Sequence, residues 1–160
     1  MNSREAIRIH LDLAESVCRG YLEDLTDEEL LVRPCAGANH INWQVGHLVA
    51  SEHQHMCQVP GNVPPGLPEG LAARYSRETA ALDVPGAFLK KADLLAAHAS
   101  QREAALALLN EQSDTDLDRS TSVPYAPTVG AIFSLLGSHW LMHSGQWAVT
   151  RRLLGRKPLY

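Results

Sequence analysis

Between Arg119 and Arg151 the chain holds no Asp, Glu, Lys or Arg, yet His139 and His143 stand four residues apart inside that stretch. A charge-free run of this length must be buried, either in lipid or within a helical protein. Residues 129–149 are long enough to span a bilayer. However, Ser134, Ser138, His139, His143, Ser144 and Gln146 would carry costly polar groups into it. The stretch is therefore expected to be a buried helix of a soluble bundle rather than a membrane span.

Helical periodicity recurs along the chain. A first pattern covers Ser3 to Leu25, with Ile7, Leu11, Ala14, Cys18, Tyr21 and Leu25 on one stripe and Asn2 and Glu5 at capping-box spacing. Thr26 to Glu29 forms a second capping box before a short helical piece that must end by Pro34. A second long helix starts between Asn39 and Asn42 and runs to about Val59, where Pro60-Gly61 stops it. A third covers Pro85 to Asn110 with Ala92, Leu95, Ala99, Leu106 and Leu109 as its stripe. The fourth begins after Thr128 and ends at Leu154, before Gly155. Ser113-Asp114-Thr115-Asp116-Leu117 echoes Thr26-Asp27-Glu28-Glu29-Leu30, a faint hint of a duplicated helix pair. No segment pairs strand alternation with hairpin turns, so the expectation is an all-α four-helix bundle, with residues 1–160 as one domain.

Composition narrows the partners. The 14 basic and 18 acidic residues leave a formal charge of −4, so there is no basic field for nucleic acid or anionic lipid. Cys18, Cys35 and Cys57 form no C-x-x-C pair, which fits a reduced cytoplasm, and Cys18 sits on the apolar stripe as a core residue. Charge appears at once after Met1 and no apolar h-region follows, so no signal peptide is expected.

Eight histidines must then be ranked. His139 and His143, at i and i+4, share one helix face. Ile132, Leu135, Leu136, Gln146 and Thr150 fall within about 60° of His139, so the pair sits in a largely apolar stripe aimed at the core. This spacing lets two imidazoles reach one metal ion; the alternative is two core histidines satisfied by carbonyls or water. No Glu follows His139, so the pair is not a zincin motif. His47, beside Gly46, is the strongest candidate for a third ligand, with Trp43, Ser51 and Gln54 within about 40° of it. His53 and His55 point away from His47, His10 and His98 read as surface or boundary residues, and His40 as part of a helix cap. Glu52, about 140° from His47, is a poor direct ligand.

Leu25 to Leu30 with Arg33-Pro34, then Ile41-Asn42-Trp43-Gln44-Val45-Gly46-His47-Leu48 with Glu52, resemble the first half of the DinB-like (YfiT-like) family. Gly137 to Gln146, followed by Arg151 and Arg152, resembles its second half. The resemblance implies a four-helix bundle of the DinB-like type, often a homodimer, holding nickel or zinc through three histidines of the second and fourth helices. Those positions correspond to His47, His139 and His143 here. It implies either a metal-dependent hydrolase or an S-transferase using a low-molecular-weight thiol.

The expectation is thus a cytoplasmic protein whose divalent metal acidifies a water or a thiol for attack on a small-molecule substrate. Gln146 is expected to orient a ligand, and Arg151 and Arg152 to receive an acidic group or simply to complement the helix dipole. No carboxylate stands beside the ligands as an obvious general base. A non-catalytic metal- or ligand-binding stress-response module is therefore the alternative, and a bundle without metal a third.

Overall fold

The computed structural model describes residues 1–84 and 86–159. Helices run in the order α1 (Ser3–Leu22), α2 (Ile41–Met56), α3 (Leu71–Arg74), α4 (Lys91–Glu111), α5 (Asp114–Leu117) and α6 (Val129–Leu153), with 3-10 turns at Glu29–Leu31 and Arg77–Thr79. There is no strand among the described residues, and no helix is long and apolar enough to cross a membrane. The all-α expectation holds.

The helix starts follow local chemistry. Asn2 and Glu5 close a reciprocal capping box on α1, Thr26 and Glu29 do the same before the first 3-10 turn, and Ser113 and Asp116 open α5. Thr128 caps α6, and Gly155, at φ 73°, takes the left-handed conformation just past its end. His40 caps α2 through its ring, with Nδ1 accepting from the Trp43 N–H at 3.0 Å.

Two boundaries differ from the periodicity. α1 stops at Leu22, and Leu25 is buried in the turn beyond it. The expected third-helix start at Pro85 lies outside the described residues, and 86–90 are not helical. A tertiary clamp places the start of α4 at Lys91. Its N–H donates to Asp27 Oδ1 at 2.6 Å, and its Nζ donates to the carbonyls of Leu22, Glu23 and Leu25. The buried stripe of α4 is also rotated from expectation. Leu94, Ala97, His98, Gln101, Arg102, Ala105 and Leu109 face inward, while Ala92 and Ala99 are exposed. Arg102 and Gln101 hold interior positions because they meet partners from other segments: Arg102 pairs with Glu52, and Gln101 meets His53 and the Pro65 carbonyl.

α1 packs on α6 and α4, and α2 packs on the same two helices, so α1 and α2 stand diagonally opposed. Two apolar clusters lie end to end. One gathers Cys18, Leu22, Trp43, Leu48, Val49, Ala97, Trp140 and Trp147; the other gathers Leu11, Met56, Ala105, Leu109, Phe133 and Leu136. α1 and α6 pass from the second cluster to the first, and α2 and α4 pass in the reverse order. Parallel α2 and α4 need a long return, which residues 57–90 supply.

Between the clusters lies a polar layer. Glu52, 2% exposed, receives Arg102 Nε at 2.9 Å, Arg102 NH2 at 2.8 Å and Trp140 Nε1 at 2.9 Å. His98 packs against Trp140 with ring centroids 4.1 Å apart and planes tilted by 39°, its Nε2 lying 3.5 Å from Glu15 Oε2. Far from being a surface residue, His98 is 5% exposed. Burying an ion pair is costly, but removing one partner strands the other's charge. Arg102→Met should cost about 3–5 kcal/mol and the double change Glu52→Leu/Arg102→Met far less, measured by urea unfolding.

Close approach accounts for two glycines. A Cβ on Gly46 would overlap the Tyr75 ring, and one on Gly137 would lie 2.6 Å from His10 Cδ2, whereas Gly145 has open space. The neighbour that Gly46 admits is thus an aromatic ring from the α2–α4 connection rather than another long helix. Gly46→Ala should cost about 1–3 kcal/mol by overpacking. On the exposed face of α6, Gly145→Ala should instead stabilise by up to about 1 kcal/mol, since alanine suits a helix interior better. Denaturant midpoints of the two variants compare these outcomes.

Candidate metal centre

The central position of α2 prepares the site. Eleven of its residues are buried, on every face, so its polar side chains must find partners inside the protein. His47 of α2 and His139 and His143 of α6 each offer one nitrogen, and these three atoms lie within 4.8 Å of one another. Ring centroids are 5.4 Å apart for His47–His139, 5.7 Å for His47–His143 and 5.0 Å for His139–His143. All three residues are half-buried.

The surrounding groups orient the rings. Gln44 Nε2 donates to the Asn39 carbonyl at 2.7 Å, which makes Gln44 Oε1 the acceptor end of the amide. That oxygen receives His143 Nδ1 at 3.0 Å and Trp147 Nε1 at 2.9 Å. His143 therefore carries its proton on Nδ1 and leaves Nε2 with a free lone pair. Ser51 Oγ lies 3.4 Å from His139 Nδ1 and 3.4 Å from His55 Nδ1, while His55 Nε2 meets the Tyr125 hydroxyl at 3.1 Å. His47 stacks flat on Trp43, with centroids 5.0 Å apart and planes 4° from parallel.

Electrostatics keeps the cluster neutral. Burial, with the neighbouring imidazoles acting in the same direction, pushes His139 and His143 down to about 4. Burial lowers His47 as well, helped by the Arg77 charge. Neutral imidazole is the form that binds a metal, so three such rings suit a divalent ion and leave coordination positions for water or substrate.

Of the five side chains expected at the site, three come together. Gln146 is exposed on α6. Arg151, 3% exposed, lies elsewhere: its guanidinium pairs with Asp24, donates to the Tyr21 carbonyl at 2.8 Å and borders a recess of about 20 Å³. The cation near the histidines is Arg77. It shares with His47, Ser51, His53, Gln54 and Tyr75 the wall of a cleft of about 390 Å³. Trp43 and Ser51 meet the site as their shared phase with His47 suggests, whereas Gln44 and Arg77 are not singled out by spacing. The available signal was a glutamine one helical turn before His47 and a serine one turn after it, but their roles depend on where α6 lies. Glu52 is withheld from the triad by Arg102 and Trp140, as its helical phase suggests.

A pH response follows. His40, His98, His139 and His143 are each pushed down to about 4, chiefly by burial, while an unfolded imidazole titrates near 6.5. Between those values the unfolded chain binds more protons than the folded one, so stability falls as pH drops. The metal-free protein should keep a high urea midpoint above about pH 7 and lose it progressively from about 6.5 towards 4. The loss should be shallower in a His139→Ala/His143→Ala double variant.

A family model describing the DinB superfamily matches residues 10–147. No curated protein gives a match. The fold is similar to that in the crystal structure of a conserved protein from Enterococcus faecalis, at 18% sequence identity and a TM-score of 0.71, over 98% of this chain and 99% of that one. At that identity the likeness concerns the fold alone. With the family match running from within α1 to within α6 and enclosing all three histidines, the chain belongs to the DinB superfamily.

Proposed function

We propose that the chain, as one domain, is a metal-dependent enzyme acting on a small molecule, with His47, His139 and His143 holding a divalent ion. The observation that carries this reading is the convergence of three imidazole nitrogens within 4.8 Å of one another, with His47 lining a cleft. Three imidazoles suit nickel and zinc alike. A divalent ion bound there supplies a Lewis acid that lowers the pKa of a bound water or thiol.

The protein's own residues do the rest. Gln44 fixes the tautomer of His143, and Ser51 limits the orientation of His139. Trp43 stacking holds the His47 ring against rotation. The cleft lining combines apolar Ala50, Leu67 and Ala72 with the charge of Arg77, which suits a substrate with one acidic group. In this reading Arg77 takes the part that Arg151, committed to Asp24, does not. A hydrolytic reaction and a thiol S-transfer both fit these features, and in either case the oligomer is proposed as a homodimer.

One observation favours a second reading, a module that binds metal or ligand without turnover. Neither Asp nor Glu lines the cleft among the described residues, so no carboxylate is placed there as general base.

Elemental analysis of protein purified without chelator should find about one divalent ion per chain, with loss in His143→Ala. Gln44→Ala should weaken metal affinity by about 10–100-fold, because it frees the ring that Gln44 orients. Wild-type protein without bound metal would sink the proposal. Where metal is present, hydrolysis of small esters and amides and transfer of low-molecular-weight thiols should be assayed. Inactivity in both would favour the binding module.

A further inference from the structure

A second chemical arrangement lies at the C-terminal end of α2 and shares no residue with the histidine triad. Cys57 is exposed, and its Sγ lies 3.7 Å from His53 Nε2. The two residues are one turn apart, joined by the Cys57 N–H to His53 carbonyl bond at 3.0 Å, so their side chains share a helix face. The opposite ring nitrogen, His53 Nδ1, lies 3.2 Å from Gln101 Oε1 of α4.

Gln101 settles the proton inventory. Its Nε2 donates to the Pro65 carbonyl at 2.8 Å, so its Oε1 is the end that faces His53 and can only accept. His53 Nδ1 must therefore carry the proton, and Nε2 presents its lone pair to the Cys57 thiol. Gln101 is 2% exposed, so this orientation is held inside the protein rather than by solvent. A thiol, an imidazole acceptor and an amide that fixes the imidazole tautomer form the nucleophile, base and orienter set of thiol catalysis.

The electrical setting is compatible with proton transfer. His53 lies in the last turn of α2, and Cys57 is the C-cap residue of the same helix. Glu52 of α2 and Arg102 of α4, on the flanking turns, are buried and paired with each other, and the Arg77 cation shares the cleft wall with His53. Among the remaining polar groups packed around this end, Asn62 donates to the Met56 carbonyl, Ser122 donates to Gln58, and Tyr125 meets His55. His53 also lines the cleft of about 390 Å³ that contains His47, so a small molecule in that cleft reaches the base.

We propose that Cys57 is a nucleophilic thiol with His53 as its base and Gln101 as a positioning residue, and that it exchanges with low-molecular-weight disulfides. Cys57 gives its proton to His53 Nε2 and attacks one sulfur of the disulfide. The S–S bond of the small molecule breaks, a mixed disulfide forms on Cys57, and the departing thiolate takes the proton back from the imidazolium. The exchange needs no external oxidant, and attack by a second small thiol reverses it.

The chain contains its own controls. Cys35 is exposed, its sulfur makes no hydrogen bond among the described residues, and it serves as the ordinary thiol. Cys18 is 2% exposed and burial pushes it up to about 12, so it reacts only if the bundle opens. The full chain should be treated with a chromogenic aromatic disulfide, and modification at each cysteine followed by peptide mass spectrometry across pH 5.5–9.

Cys57 should react at least about tenfold faster than Cys35 at pH 7. His53→Ala should reduce Cys57 to the rate of Cys35 while Cys18 stays protected, which shows that the fold is intact. Gln101→Ala should move the Cys57 pH profile towards that of Cys35. Equal rates at Cys57 and Cys35 in the wild type would overturn the proposal, as would an unchanged Cys57 rate in a folded His53→Ala variant. An unmoved profile in Gln101→Ala would remove the positioning role.

Discussion

The buried carboxylate of Glu52 sets the register of the bundle. It takes three donors, two from Arg102 and one from Trp140, and thereby ties α2 to α4 and α6 at one level. An ion pair of this kind contributes little net stability compared with apolar packing, but it penalises any slip that separates its members. The apolar clusters above and below can tolerate small shifts; the charged layer cannot. Everything that depends on the height of α6 relative to α2 depends on this layer, and the meeting of His47 with His139 and His143 is such a case.

Trp140 shows how closely the two levels are joined. It follows His139 directly and precedes His143 by three residues, so its bond to Glu52 fixes the rotation of the helix segment that presents both rings. One turn beyond His143, Trp147 donates to the same Gln44 oxygen that receives His143. Two tryptophans of α6 are therefore hydrogen-bonded to side chains of α2, one on each side of the candidate metal centre. A site held this way is preorganised: the rings need not be gathered when an ion arrives, and the cost of burying neutral imidazoles is met during folding.

Glutamine recurs as the agent that decides which imidazole nitrogen bears the proton. Gln44 does so for His143 and Gln101 does so for His53, each with its own amide anchored to a backbone carbonyl. In the first case the free lone pair faces two other imidazoles, and in the second it faces a thiol. The same side-chain device thus orients imidazoles at two places, and His47 and His53, one beside each, line a common cleft.

The amino-acid sequence by itself determined the helices and their caps, because capping boxes such as Asn2/Glu5 and Ser113/Asp116 are local contacts within three residues. It also determined that His139 and His143 share a face, since i and i+4 spacing does so in any α-helix. Pairing them with His47 rested on a resemblance between motifs, not on spacing. Tertiary structure decided the rest. The start of α4 depends on Asp27, more than sixty residues earlier, and the inward rotation of His98 and Arg102 depends on Glu15 and Glu52 of other helices. Arg151 shares α6 with His139 and His143, but Asp24 holds it elsewhere; Arg77, from a short turn with no strong pattern, lines the cleft instead. Periodicity reports which way a side chain points from its own helix, and only the packed bundle determines what it meets there.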